Sequence, residues 1–402
     1  MPNLLDIVGQ DDALAQLQRA AAGQRRPHAL LLVGPEGVGR ETAAVEYARL
    51  LLCHTPLSRP NAAPAATALI AQPAQPRLPR LPPDFTLRQG CGKCPSCLTL
   101  SASTNPDFQL VHKELGRYLD DDKARDRKFQ DLGIDVIRQF VIAPAYRGAM
   151  GGQGKAFVIR GAEDMSVPAQ NALLKTLEEP PSGVTIILIC ASASELLPTT
   201  RSRCRLVRFH ALPLEFVAGE LKKAGVKEAE ASFWAGQTDG SLGQSQRLAD
   251  DGLYAFKRDL VERLATLPQS HDAKFAEALT KEMEKYAGKL TRRDEDLVES
   301  VAKRQAGQIM LSIIASVYRD ALRVGGPPAA GSSGQPARLV HADQAPAIAR
   351  IAQAFPPTAL ADILTQLARF EQLLWRNVNV KLLWDNVAVT CASAAPLSAE
   401  LE

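Results

Sequence analysis

Leu30-Leu31-Leu32-Val33-Gly34-Pro35-Glu36-Gly37-Val38-Gly39-Arg40-Glu41-Thr42 is the stretch that decides the fold. A short all-apolar run feeds a glycine-rich turn. A helical pattern then runs from Thr42 through Ala43, Val45, Tyr47, Ala48, Leu50 and Leu51. Strand, glycine loop, helix is the setting of the phosphate loop G-x-x-x-x-G-K-[ST]. Such a loop works because backbone N–H groups and a helix N-terminus face an anion. Gly34, Gly37 and Gly39 keep that geometry open, but the lysine position holds Arg40 and the magnesium-binding hydroxyl position holds Glu41. Arg40 keeps a charge, yet a planar fork is not a compact ammonium. Glu41 places negative charge where a polyphosphate would lie.

Further apolar strands are expected at Ala156–Ile159 and Val184–Ile189. Between them Ala169–Glu179 reads as a helix, capped by Ser166, opened by Pro168 and stopped by Pro180-Pro181. Apolar strands alternating with helices predict a mostly parallel sheet covered on both faces. Hydrolysis also needs an acidic residue at the tip of the second strand. Arg160-Gly161 stands there, with Glu163 and Asp164 on the following turn. With every hydrolytic position changed, the loop is read as inert in turnover, and weak nucleotide binding without turnover stays open. Ser202-Arg203-Cys204, by contrast, offers an arginine on a strand edge, the kind of group that stabilises phosphoryl-transfer charge on a neighbour.

The chain has 402 residues, enough for two or three domains, with 46% hydrophobic and 23% charged residues. A net charge of +3 does not announce a nucleic-acid binder. No apolar run of about 18 residues predicts a membrane span, and the N-terminus lacks a secretory pattern, so a cytoplasmic protein is expected. Residues 54–90 interrupt the α/β pattern. Eight of those 37 positions are proline and few are large and apolar, which predicts a flexible insertion. A charged stretch, about 114–130, is expected to be solvated. After Pro213 strand signals give way to helices near 216–224, 228–236, 254–267, 273–287, 294–325 and 358–389, with a loop from Gly325 to Gly334 inside them.

Of seven cysteines, Cys190, Cys204 and Cys391 are single, and Cys91-Gly92-Lys93-Cys94-Pro95-Ser96-Cys97 gives C-x2-C-x2-C. Three thiolates at that pitch can converge on one tetrahedral ion, and a fourth ligand closes a structural zinc site. Cys53 is the candidate, with His54 as a possible substitute. The same spacing begins a ferredoxin motif, but no Cys-Pro follows at the right distance.

Ile7-Val8-Gly9-Gln10, the altered glycine loop, the run Asn171-Ala172-Leu173-Leu174-Lys175-Thr176-Leu177-Glu178-Glu179-Pro180-Pro181 and Ser202-Arg203-Cys204 together resemble the bacterial DNA polymerase III clamp-loader AAA+ family, and within it the delta-prime group. The resemblance is close over about residues 1–250 and general beyond. Gamma/tau members share the motifs but keep the intact lysine, hydroxyl and acidic pair. Gly243 stands where an ATP-using member carries a sensing arginine. The resemblance implies an AAA+ ATPase-like α/β domain over 1–212 with a zinc module at 53–97, an all-α lid over 213–252 and an all-α collar over 253–402. It implies Arg203 as an arginine finger in the ATP site of a gamma/tau neighbour, Cys53, Cys91, Cys94 and Cys97 as zinc ligands, and ATP not hydrolysed by this chain. Gamma/tau and delta subunits are the implied partners, with the sliding clamp and primer–template DNA reached through the assembled complex. In the family the first cysteine lies nearer the other three, which is a departure here. An ATP-hydrolysing subunit of gamma/tau type is the competing reading, and a zinc-dependent nucleic-acid binder a third.

Overall fold

The computed structural model describes residues 3–23, 26–61, 78–120, 131–270, 274–293, 297–326, 338–376 and 378–393. The chain divides into two compact units, Met1–Pro213 and Leu214–Glu402.

The first unit is built on a parallel sheet. Its strands are β1 (Ala29–Val33), β4 (Phe108–Val111), β5 (Lys155–Arg160), β6 (Val184–Cys190) and β7 (Arg205–Arg208), in the order β4-β5-β6-β1-β7. β1 is central, with Leu31 beside Leu188 on one flank and Leu206 on the other. Every residue of β6 is buried and Leu30, Leu31 and Leu32 are fully so, as continuous apolar runs covered on both faces demand. One face packs Leu31, Ile159 and Leu188 with Leu173 and Leu177 of helix Val167–Glu178. The other packs Ala156 with Ala48 and Leu52 of helix Arg40–Leu52. Helix Val167–Glu178 starts as its sequence predicts: Ser166 Oγ accepts from the Ala169 amide at 3.3 Å and Pro168 sits in the first turn. It stops ahead of Pro180-Pro181.

The 54–90 insertion departs from the reading of a wholly flexible segment. β2 (Leu57–Pro60) and β3 (Thr86–Gln89) pair antiparallel at its base. Asn61, fully buried, donates to the carbonyls of Leu78 and Leu81 at 2.9 Å each and accepts from the Leu78 amide at 2.9 Å. Backbone pairing and one satisfied amide close the base without a large apolar core. Residues 62–77 of the insertion lie outside the described residues, as do 121–130 of the charged stretch, whose beginning folds as a 3-10 turn at Lys113–Tyr118.

Among its described residues the second unit is helical throughout. Its long helix, Glu299–Gly325, buries Ile313, Ile314, Val317, Tyr318 and Ala321. The loop expected from Gly325 to Gly334 lies outside the described residues from 327 onward. The single helix expected at 358–389 is two, Pro357–Leu374 and Val380–Ala392. The second starts afresh because Asn379 Oδ1 accepts from the Lys381 and Leu382 amides at 3.0 and 3.4 Å, a cap that apolar periodicity does not reveal.

Candidate functional site

The glycine loop lies at the carboxyl end of central β1, where open α/β sheets hold ligands. Gly34 is required there: a Cβ would sit 2.3 Å from the Phe209 carbonyl oxygen. Gly37 and Gly39 have φ of 74° and 100°, and Gly39 leads into helix Arg40–Leu52.

Arg40, Glu41 and Arg160, the residues at the sequence-predicted lysine, hydroxyl and acidic positions, are engaged with one another and with the fold. Arg40 Nη1 donates to the Cys190 carbonyl at the end of β6, and only 8% of the residue is exposed. Burial holds the Arg40 pKa below its usual value, with Glu163 the largest opposing influence. Glu41 pairs with Arg160 at 3.8 Å, so the hydroxyl position and the strand-tip acidic position carry opposite charges facing each other. Arg160 also lies 3.7 Å from Glu114, whose Oε2 meets His112 Nδ1 at 2.5 Å. Glu163 Oε1 accepts from the Ala191 amide at 3.0 Å. The exposed ion pairs are each worth about 1 kcal/mol or less. Their consequence is chemical: neither Glu41 nor Arg160 offers the hydroxyl–carboxylate combination that orders magnesium.

The four cysteines come together. Cys53 follows helix Arg40–Leu52, and Cys94 precedes helix Pro95–Ser101. Their sulfurs lie 3.9 Å apart, those of Cys91 and Cys97 lie 4.0 Å apart, and all four lie within 4.8 Å of one another. Four thiolates around zinc at 2.3 Å would stand about 3.8 Å apart, so the cluster has the dimensions of a tetrahedral site. The group contains Cys53 and not His54. Amides of Lys93 and Cys94 donate to Cys91 Sγ at 3.4 and 3.3 Å, and the Lys93 contact leads in lowering the Cys91 thiol to about 5. Burial pushes Cys97 up to about 12. Buried Arg49, paired with Glu46 at 3.1 Å, ties the knuckle to its helix by donating to the Cys97 carbonyl at 2.9 Å and to Ser101 Oγ at 2.7 Å. A Cβ on Gly90 would meet Arg49 Cγ at 2.7 Å, so a glycine lets the chain pass.

Arg203 is not on a strand. It lies in the turn between the short helix Pro198–Arg201 and β7, because the chain needs a corner before it enters the sheet. Its Nε donates to Glu178 Oε1 at 2.6 Å, its Nη2 contacts the same oxygen, and its Nη1 donates to the Thr199 carbonyl at 2.8 Å. Gln170 anchors this segment: its Oε1 accepts from the Leu197 amide at 2.9 Å, and its Nε2 donates to the Met165 carbonyl at 3.2 Å. Sequence reading missed Gln170 and Glu178 as partners of the arginine turn. The only available signal was their eight-residue spacing along one predicted helix. Gly243 lies in helix Leu242–Asp250 of the second unit.

The first unit is therefore a P-loop-type α/β fold whose hydrolytic positions hold other residues. A family described as "DNA polymerase III, delta subunit" matches residues 81–213, and one described as "DNA polymerase III, delta subunit, C terminal" matches residues 286–390. The delta-prime subunit of Pseudomonas aeruginosa DNA polymerase III is 33% identical over 177 residues, 44% of this chain and 41% of that protein. That of Escherichia coli K12 is 29% identical over 182 residues, 45% and 42%. The tau subunit of Bacillus subtilis is 24% identical over 264 residues, 64% and 38%. The chain thus spans about two fifths of the length of the curated relatives it matches. These matches support the delta-prime family of bacterial clamp-loader subunits, over residues 81–213 and 286–390 and at 29–33% identity to curated delta-prime subunits.

Proposed function

We propose that this chain is a non-hydrolysing delta-prime subunit of the DNA polymerase III clamp loader, scaffolding the loader and lending Arg203 to the ATP site of an adjoining gamma/tau subunit. One observation carries the reading. Arg40, Glu41 and Arg160 stand where turnover needs a lysine, a hydroxyl and a carboxylate, with Arg40 turned to the Cys190 carbonyl and Glu41 paired with Arg160, while Arg203 is retained in a part-exposed turn beside Glu178. Gly34, Gly37, Gly39 and Arg40 are then the remnant of a phosphate loop. In the loader Arg203 would offset charge developing on a transferred phosphoryl group, an effect worth about 10³–10⁵ in turnover in well-studied GTPases.

Cys53, Cys91, Cys94 and Cys97 are proposed to hold a structural zinc, which would tie the insertion to helix Arg40–Leu52. Residues 213–252 are assigned as the lid and 253–402 as the collar. Gamma/tau and delta subunits are the proposed partners, the sliding clamp and primed DNA are reached through the assembled complex, and the compartment is the cytoplasm. The described residues contain no helix long and apolar enough to cross a membrane.

The test mixes this chain with gamma/tau and delta subunits, the clamp and primed DNA. Arg203→Ala should assemble normally and lower the complex's ATPase rate by at least tenfold. Unchanged turnover in an assembled complex overturns the finger role. Robust magnesium-dependent phosphate release by the chain alone would favour a gamma/tau-type ATPase.

A further inference from the structure

We propose that Glu178 is a positioning residue: it presets the guanidinium of Arg203 for the neighbour's phosphate. The inference rests on the reading of Arg203 as a finger. Glu178 is the last residue of helix Val167–Glu178, where the partial negative charge of the helix end disfavours a carboxylate. The helix gives no reason for an acid there, and Arg203 does, through both Nε and Nη2 on one oxygen. The third nitrogen, Nη1, reaches the Thr199 carbonyl at 2.8 Å and Ser202 Oγ at 3.5 Å.

Both anchors share one base. Gln170, two turns before Glu178 on the same helix, binds the Leu197 amide and lies 3.4 Å from Thr200 Oγ1, so the arginine turn is tied to the helix at both residues. A guanidinium has five N–H donors. These contacts use four, and one on Nη2 is left for a phosphate oxygen. The pair is part-exposed, with 31% of the Arg203 and 47% of the Glu178 side chain open, so solvent weakens the attraction. Glu178 therefore orients without sequestering. A polyphosphate, carrying more charge than one carboxylate, can draw on the arginine while its rotamer stays paid for in advance.

The experiment uses the assembled loader with primed DNA. Glu178→Ala is expected to lower kcat for ATP about tenfold, a misplacement effect, with KM changed less than about twofold. Glu178→Gln, whose amide oxygen still accepts, should retain at least about half of kcat. In the Arg203→Ala background, Glu178→Ala should have no further effect. If the alanine variant fails to assemble, Glu178→Asp carries the test, its shorter arm also lowering kcat. Arg203→Ala impairing turnover while Glu178→Ala leaves kcat unchanged, or raises it, overturns the positioning role alone. A silent Arg203→Ala overturns the finger reading and this assignment with it.

Discussion

Gly34 shows how little freedom a single position can have. With φ of 153° and the Phe209 carbonyl 2.3 Å from where a Cβ would be, Gly34→Ala must push β1 and the chain after β7 apart. The loss should exceed about 1 kcal/mol in urea unfolding, because both backbone strain and a clash oppose alanine. Arg40 has a different kind of constraint. On the proposed reading, a lysine at this position alone should leave the isolated chain without measurable magnesium-dependent phosphate release, since Glu41 and Arg160 still stand where the phosphate-loop pattern calls for a hydroxyl and a carboxylate. A phosphate-release assay on Arg40→Lys checks this. Arg40, Glu41 and Arg160 were each legible as departures from a motif. That Glu41 and Arg160 pair, and that Arg40 turns to the Cys190 carbonyl, was not, because those partners come from strands more than a hundred residues away.

The cysteine knuckle and the helix it docks on form the element with the plainest test. Cys97→Ser leaves three thiolates and removes a buried ligand, so freshly purified variant should hold well under half an equivalent of zinc by elemental analysis, against about one for the parent. Chelation of the parent should open the 53–97 region to protease before the sheet yields, because zinc binding and local folding are linked. The helix Val167–Glu178 gives a stability counterpart. Leu173 is fully buried in the core under β5 and β6, and Leu173→Ala should cost about 2–5 kcal/mol in chemical unfolding. This helix was readable because its cap, its proline and its apolar spacing all agree. The break between Pro357–Leu374 and Val380–Ala392 was not, because apolar spacing continues across it and only the Asn379 cap reveals the restart.

Taken as a whole, the molecule should respond to acid through its helical unit. His341 is fully buried there. Ser316 Oγ donates to the Ile313 carbonyl at 2.7 Å and accepts from His341 Nε2 at 2.8 Å, which leaves Nδ1 as the bare nitrogen with no partner among the described residues. Burial and then the Lys257 charge lower its pKa from 6.5 to about 3. The folded state therefore resists a proton that the unfolded state accepts. Stability present above pH 6.5 should fall as pH drops toward 3, by at most about 1.4 kcal/mol per pH unit from this group. His341→Gln should flatten that slope relative to the parent in urea titrations between pH 7 and 4. Lys257, wholly buried, meets Asp343 Oδ1 at 2.6 Å and lies 4.4 Å from the Phe233 ring centre; Asp343 also accepts from the Tyr254 hydroxyl at 2.9 Å and reaches solvent, so Lys257→Met alone should cost at most about 3 kcal/mol in chemical unfolding.

The amino-acid sequence by itself determined the alternation of buried strands and helices, the glycine loop with its altered chemistry, and the spacing of Cys91, Cys94 and Cys97, because these are local patterns written within a few turns of chain. Only the tertiary structure decided that Cys53 joins them, that Glu41 faces Arg160 and that Glu178 holds Arg203. Those pairings depend on which strands lie side by side and where each helix ends. Side chains distant along the chain meet there only after the sheet has closed, so no local pattern carries them.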